Sequence, residues 1–297
     1  MLGLRILAIV FPVFAIIGLG WWYGRAKRPD LGAVNQISMD VLVPALVFAA
    51  LASKDFDFAR HAPLAAGGAL IILGSGLIAW PVARLLDIDA KTFVPPMMFN
   101  NSGNMGIPLI VLAFGESALA AAVVLFLVEM VLHFSMGPYL LAHRMRLLQL
   151  MKTPVMLATV LGVAVSLSGA HLPQPLYTAI EMVGDASIPM LLFALGVRLN
   201  QVSFHDWPIG LASAIVAPAT GIVMVLGVTP FLDLDPMQQS TLLVFGALPP
   251  AVLNYLMAEQ YGQEPERVAS IVLLGNLAAL VVMPVVLAFA LGGAHGE

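Results

Sequence analysis

The sequence predicts an all-α polytopic membrane protein with ten transmembrane helices, arranged as two inverted five-helix repeats whose fourth and ninth helices are broken. Three observations carry that prediction. Of the 297 residues, 60% are hydrophobic and only 10% charged, against about a quarter charged in an ordinary soluble domain. Apolar stretches of about 20 residues, long enough to cross a hydrocarbon core, recur along the whole chain. Two of these stretches carry Asn, Gly or Pro at their centres. Backbone amides in lipid must be satisfied internally, so such a break is tolerated only where it is buried in protein or lines a polar cavity.

Taken in order, the first five spans run roughly over 4–23, 33–52, 63–84, 92–113 and 117–141. The second five run roughly over 153–169, 176–199, 207–230, 238–261 and 267–291. Arg5 followed by an apolar run looks like a signal peptide, but the run reaches Trp21-Trp22-Tyr23 without a small-residue cleavage site and reads as a retained first helix. Connections are short and leave no room for a soluble domain. Ten of the 13 basic residues fall on one side: Arg25, Lys27, Arg28, Arg84, Lys91, Arg144, Arg146, Lys152, Arg198 and Arg267. Arg5, Lys54 and Arg60 fall on the other. The positive-inside rule makes the first side cytoplasmic, with both termini outside, and Trp21, Trp22, Trp80 and Trp207 form an interfacial belt there.

Several function classes drop out at once. A net charge of −4 offers no basic face for nucleic acid. The chain has no cysteine, which excludes disulfides, thiolate metal sites and cysteine nucleophiles. No histidine spacing suggests a metal site, and no cofactor is expected. No Ser/His/Asp set or paired Asp motif points to an enzyme.

An internal repeat divides the chain into 1–148 and 149–297. Asp40-x3-Pro44-x3-Phe48-Ala49 returns as Asp185-x3-Pro189-x3-Phe193-Ala194, 145 residues later. Pro12-Val13 with Leu19-Gly20 matches Pro154-Val155 with Leu161-Gly162, and Phe114-Gly115 matches Tyr261-Gly262. Glu129 falls opposite Asn276, 147 residues on. Five spans per unit, an odd number, give the units opposite orientation, and substrate sites in such folds lie near the midplane at the repeat interface.

The fourth span contains Asn100-Asn101-Ser102-Gly103-Asn104-Met105-Gly106-Ile107-Pro108, and its partner, the ninth, contains Leu248-Pro249-Pro250-Ala251-Val252-Leu253-Asn254. Pro249 and Pro250 remove two donors and clash with the preceding turn, while Pro is favoured at the start of a new helix. Half-helices should therefore restart after Gly103 and at the Pro pair. Each restart leaves free amide donors and about half a positive charge. Two such ends facing each other form an anion site without Lys or Arg.

These two motifs and the five-plus-five layout resemble the auxin efflux carrier family, over essentially the whole chain. Bacterial members include carboxylate permeases, malonate among their substrates. The resemblance implies a fold shared with bile-acid sodium symporters and sodium/proton antiporters, in which the fourth and ninth spans cross. Spans one, two, six and seven would form a scaffold. Spans three to five and eight to ten would form a transport domain that moves by elevator-type alternating access. It also implies a bacterial inner membrane. Plant members carry a long cytoplasmic loop between the halves, where this chain has a short basic linker.

Candidate substrate contacts are Asn100, Asn101, Gly103, Asn104, Pro249, Pro250 and Asn254. Side-chain amides donate hydrogen bonds without a charge, which suits a carboxylate that must be released again. The competing reading is that they only satisfy backbone freed by the breaks, with the prolines purely structural. Candidate proton or ion-coupling groups are Asp40, Asp185, Glu129, His133 and Asn276. An intramembrane carboxylate is costly and marks function, unless it sits near a helix end bonded to backbone. Glu129 and His133, four apart on one helical face, form either a relay or a mutually satisfied pair. The function expected is secondary transport of small organic anions, carboxylates of the auxin or malonate kind. The alternatives are a sodium- or proton-coupled ion exchanger and a non-transporting ligand sensor. Partners are the anion and lipid, and a homodimer through the scaffold helices is left open.

Overall fold

The structure is a computed structural model that describes residues 2–53, 56–143, 150–170, 172–200 and 206–293. Among these residues every regular element is a helix. The first half has α1 (Leu2–Lys27), α2 (Gly32–Leu51), α3 (Phe58–Leu85), α4 (Ala90–Met98), α5 (Ser102–Phe114) and α6 (Glu116–Ala142). The second has α7 (Pro154–Ser168), α8 (Gln174–Leu199), α9 (Trp207–Val228), α10 (Pro236–Gly246), α11 (Leu253–Tyr261) and α12 (Pro265–Gly293). Seven of them, α1, α2, α3, α6, α8, α9 and α12, are long and apolar enough to cross a membrane. Leu77, Leu226, Val281 and Phe289 are largely exposed on these helices, as lipid-facing side chains are. The protein is an integral membrane protein.

Helix starts and stops follow from local chemistry. Asp57 caps α3 by accepting from the amides of Ala59 and Arg60, and Asp235 forms a capping box with Gln238 at the start of α10. Pro154 opens α7 behind the Thr153 cap. Gly169 and Gly262 end α7 and α11 in the left-handed region, with φ of 64° and 66°. Two helices are disturbed one turn before a proline. In α2, residues Ser38–Leu42 widen into a π-turn, with Val43 N–H bonded to the Ser38 carbonyl. Pro44 has no N–H for the Asp40 carbonyl, and its ring crowds it. In α8 the ladder is interrupted at Ala186, between Asp185 and Ser187, just ahead of Pro189.

The helices pack in two groups. α1 lies along the second half of α8, and α2 packs on α7 and on the first half of α8. Glycines permit the closest of these approaches. A Cβ at Gly20 would run into the Phe193 carbonyl oxygen, and one at Gly196 into that of Ile17. In the other group α3 packs on α4, α6 and α9, and α9 on α12. Phe93, Phe99, Leu125, Leu242 and Phe245 are fully buried in this second group.

Trp21, Trp22 and Trp80 are exposed toward helix ends that carry basic residues, and Trp207 is exposed at the start of α9. Arg84 lies over the Trp80 ring at 3.7 Å and Arg25 over Trp21 at 5.5 Å. Lys54, Arg144 and Arg146, counted in the charge bias, and the boundary between the halves at 148 lie outside the described residues.

The helix restarts differ from the sequence expectation by a few residues. The first half-helix resumes at Ser102, ahead of Gly103, rather than after it. The second resumes at Leu253 rather than at Pro249-Pro250, which stay outside helix. The cause in both cases is a hydrogen bond across the breaks that takes the backbone out of the α region.

Candidate functional site

The two breaks are bonded to each other. Phe99 leaves the helix with φ −98° and ψ 101°, and Asn100 pairs with Pro250 as an isolated antiparallel bridge. Asn101 N–H donates to the Pro249 carbonyl at 2.8 Å, and Ala251 N–H donates to the Phe99 carbonyl at 3.0 Å. The broken backbone groups thus satisfy one another, as they must away from water. Pro249 and Pro250 suit this role because neither has a donor to strand. Close packing holds the second break from behind. A Cβ at Gly221 of α9 would collide with the Gly246 carbonyl.

Four asparagines complete the join, and their amide NH2 groups go mainly to carbonyls. Asn100 Nδ2 donates to Phe245 O at 2.8 Å. Asn254 Nδ2 donates to Phe99 O at 2.9 Å and Ala251 O at 3.0 Å. Asn276 Nδ2 donates to Pro250 O at 3.0 Å and Val272 O at 2.8 Å, while its Oδ1 accepts from Asn101 Nδ2 at 3.2 Å. Phe99 and Phe245 stand at the carbonyl ends of α4 and α10, where orphan acceptors and partial negative charge collect. The side chains cover those negative ends. The amide end of α5 is left uncovered, since Asn101 makes no side-chain cap there. Gly103 and Asn104 in its first turn are half-buried. Asn104 makes no side-chain hydrogen bond to any described residue, unlike Asn100, Asn101 and Asn254. Asn100 and Asn101 precede the helix restart at Ser102, and Asn104 follows it.

Glu129 and His133 of α6 grip the first break from the side. Glu129 Oε1 lies 2.9 Å from His133 Nδ1, and Ser102 Oγ donates to Glu129 Oε2 at 3.2 Å. The His133 ring stacks on Phe99, with centroids 4.2 Å apart and planes 7° from parallel. Both titratable side chains are buried. Asn276, the repeat partner of Glu129 by sequence, reaches the second break in the same manner. Ser102 and Phe99 were not singled out by sequence reasoning. The only signal for them was their place in the interrupted run of the fourth span.

Asp40 and Asp185 are exposed and stand apart from the join. Asp40 lines a vestibule of about 420 Å³ between α2 and α7 on one side and α6 and α11 on the other. Met39, Met130, Phe134, Leu253 and Met257 make that vestibule apolar, and Asp40 is the one charged group among its described lining residues. Its lining reaches Thr153, ahead of α7, and Tyr261, the last residue of α11. Asp185 lies near Glu181 and Glu116 at the opposite end, close enough for their charges to interact. Among the described residues no group of His, Asp or Glu is arranged to hold a metal ion.

The family described as membrane transport protein matches residues 5–144 and 138–287. A "Putative malonate transporter" of Rhizobium meliloti is 24% identical over 294 residues, covering 92% of each chain. An uncharacterized transporter of Methanothermobacter thermautotrophicus is 25% identical, covering 93% of this chain and 95% of its own. Another, from Methanocaldococcus jannaschii, is 20% identical, covering 93% and 96%.

Proposed function

The chain belongs to the membrane transport protein family, that of the auxin efflux carriers, and from that premise we propose that it is a secondary transporter of small organic anions, carboxylates in particular. The observation that carries this reading is the pair of broken helices bonded at Asn100 and Pro250, with carbonyl ends covered by Asn side chains and the amide end of α5 left open. A carboxylate at that end would accept from the first free amides of α5 and from Asn104. Gly103 would let it approach the backbone.

On this reading α4 with α5 is the fourth of ten spans and α10 with α11 the ninth, crossing at the bridge within an inverted repeat. The grouping of α1, α2, α7 and α8 apart from the other helices supports a scaffold and a moving transport domain. An asymmetry between the halves supports alternating access. α1 packs on α12 and α5, whereas α7, its counterpart, has no comparable packing on α6 or α11. The vestibule separates them instead. This conformation is open toward the basic, cytoplasmic face, with both termini on the far side. The vestibule's apolar lining suits an acid with an apolar body, toward the auxin-like end of the range rather than the malonate-like end.

A second reading, sodium-coupled exchange, draws on Asn100 Oδ1 and Asn254 Oδ1, two buried acceptors without a donor. Purified protein in liposomes separates the readings. Saturable flux of labelled indole-3-acetate or malonate above that of empty liposomes is expected, without a sodium requirement. Flux of neither acid, or strict dependence on a sodium gradient, would reject the anion reading.

A further inference from the structure

Glu129 raises a question of charge. It is buried, and its Oε2 accepts from Ser102, the first residue of α5. A carboxylate of the protein therefore already stands beside the positive helix end that the transport reading assigns to the substrate. A second anion there is opposed by Glu129 in its charged form. The one ionic partner of Glu129 among the described residues is His133, 2.9 Å away. Without an extra proton the Glu129–His133 pair carries charge −1. With one it carries zero, whichever atom holds the proton.

His133 Nε2 and Asn254 Oδ1 are both buried without a protein partner. The two residues line the same small cavity, about 10 Å³, which Lys91 and Leu141 also line. Lys91 is exposed, with Nζ 3.3 Å from the Leu141 carbonyl, so the cavity ends at the basic face.

We infer that the Glu129–His133 pair is a proton site coupled to anion binding at the start of α5, so that carboxylate and proton bind, cross and leave together. The inference rests on the anion-transport reading. Coupling is reciprocal: if the proton improves the site for the anion, the anion improves the pair for the proton by the same factor. Contacts on both sides of the break transmit it, because His133 stacks on Phe99 before the break and Glu129 holds Ser102 after it.

Other charged groups on elements packed against α6 are placed differently. From α3, Arg60 pairs with Asp235 of the α10 cap, His61 Nδ1 bonds to the Asp57 carbonyl, and Arg84 covers Trp80. From α11, Glu259 bonds to the Tyr255 hydroxyl, and Tyr261 lines the vestibule with Asp40 of α2. Glu116 stands at the start of α6 itself, and α4 contributes Lys91 at the cavity.

Calorimetry on the purified protein with indole-3-acetate and with malonate tests the inference, in buffers of different protonation enthalpy across roughly pH 5 to 8. Wild type should take up close to one proton per anion, its affinity falling about tenfold per pH unit over the responsive range. Glu129→Gln, neutral at every pH, should bind with no proton uptake and a flat pH profile. Binding by wild type without proton uptake overturns the coupling alone. Loss of uptake in Asp40→Asn with retention in Glu129→Gln also overturns it. Binding of neither acid at any pH refutes the anion reading and this inference with it. Should Glu129→Gln not fold, the wild-type proton count still decides whether coupling exists, and His133→Gln, expected to displace the responsive range, decides where. An unmoved range in that variant overturns the assignment to the pair.

Discussion

Asn276, on α12, reaches both helix breaks from outside them, and replacing it measures what the join is worth. Its Oδ1 takes a hydrogen bond from Asn101, and its Nδ2 gives one to the Pro250 carbonyl and one to Val272. Asn276→Leu keeps the size and removes all three. At about 0.6 kcal/mol per hydrogen bond inside a membrane protein, the loss would be near 2 kcal/mol. If Asn101 Nδ2 and the Pro250 carbonyl are left stranded at about 1–3 kcal/mol each, it reaches about 2–6 kcal/mol. Either figure is a large share of a net stability of about 5–15 kcal/mol. The variant in detergent should melt at least about 3 °C below wild type, and its anion affinity should fall because the breaks lose their common brace. Asn276→Asp sharpens the test. It still accepts from Asn101 but cannot donate, and it adds negative charge beside the join. At an effective dielectric near 20 and separations of about 6–12 Å, that charge opposes an incoming anion by about 1–3 kcal/mol, about tenfold or more in affinity. A leucine variant that melts within about 1 °C of wild type, with both variants binding normally, would refute the claim that side-chain amides hold the breaks together.

Two further outcomes follow from the same geometry. Asn104→Ala removes no hydrogen bond of the folded protein, so its melting temperature should match wild type. A lost bond to a charged ligand costs about 1.5–3 kcal/mol, so affinity for indole-3-acetate or malonate should drop by about tenfold or more; unchanged affinity would remove Asn104 from the site. Asp235→Ala should lower stability by about 1 kcal/mol at neutral pH through the lost cap. Burial raises the Asp235 carboxyl, but bonds from the Gln238 and Met237 amides and the Arg60 guanidinium outweigh it and hold the group below its ordinary value. A depressed acid gives stability that is complete above its unfolded value and lost as pH falls through its folded one. The gap between wild type and Asp235→Ala should therefore close on acidification, and a gap of constant size from neutral to acid pH would contradict this.

The breaks themselves were legible because Pro249-Pro250 and the Asn/Gly run have no helical way to satisfy their own backbone. Their registers were not. The helix resumes at Ser102 because Asn101 N–H is taken by Pro249 O, and past Pro250 because Ala251 N–H is taken by Phe99 O. Both partners lie about 150 residues away in the chain, where local propensity has no reach. The same limit applied to the asparagines. Their presence was plain, but each of the five amides in apolar segments could serve substrate, coupling or backbone. Only their neighbours show Asn100, Asn101, Asn254 and Asn276 committed to the join and Asn104 free.

Composition and hydropathy alone determined that this chain lives in lipid as helices. Hydrocarbon offers no partner for a bare amide, and that rule acts on every residue without regard to its distant neighbours. Which polar groups are spent on structure, which end of a half-helix stays open, and that Glu129 stands beside it were decided only when the two halves came together. Those are contacts between segments far apart in sequence, and their geometry exists only in three dimensions.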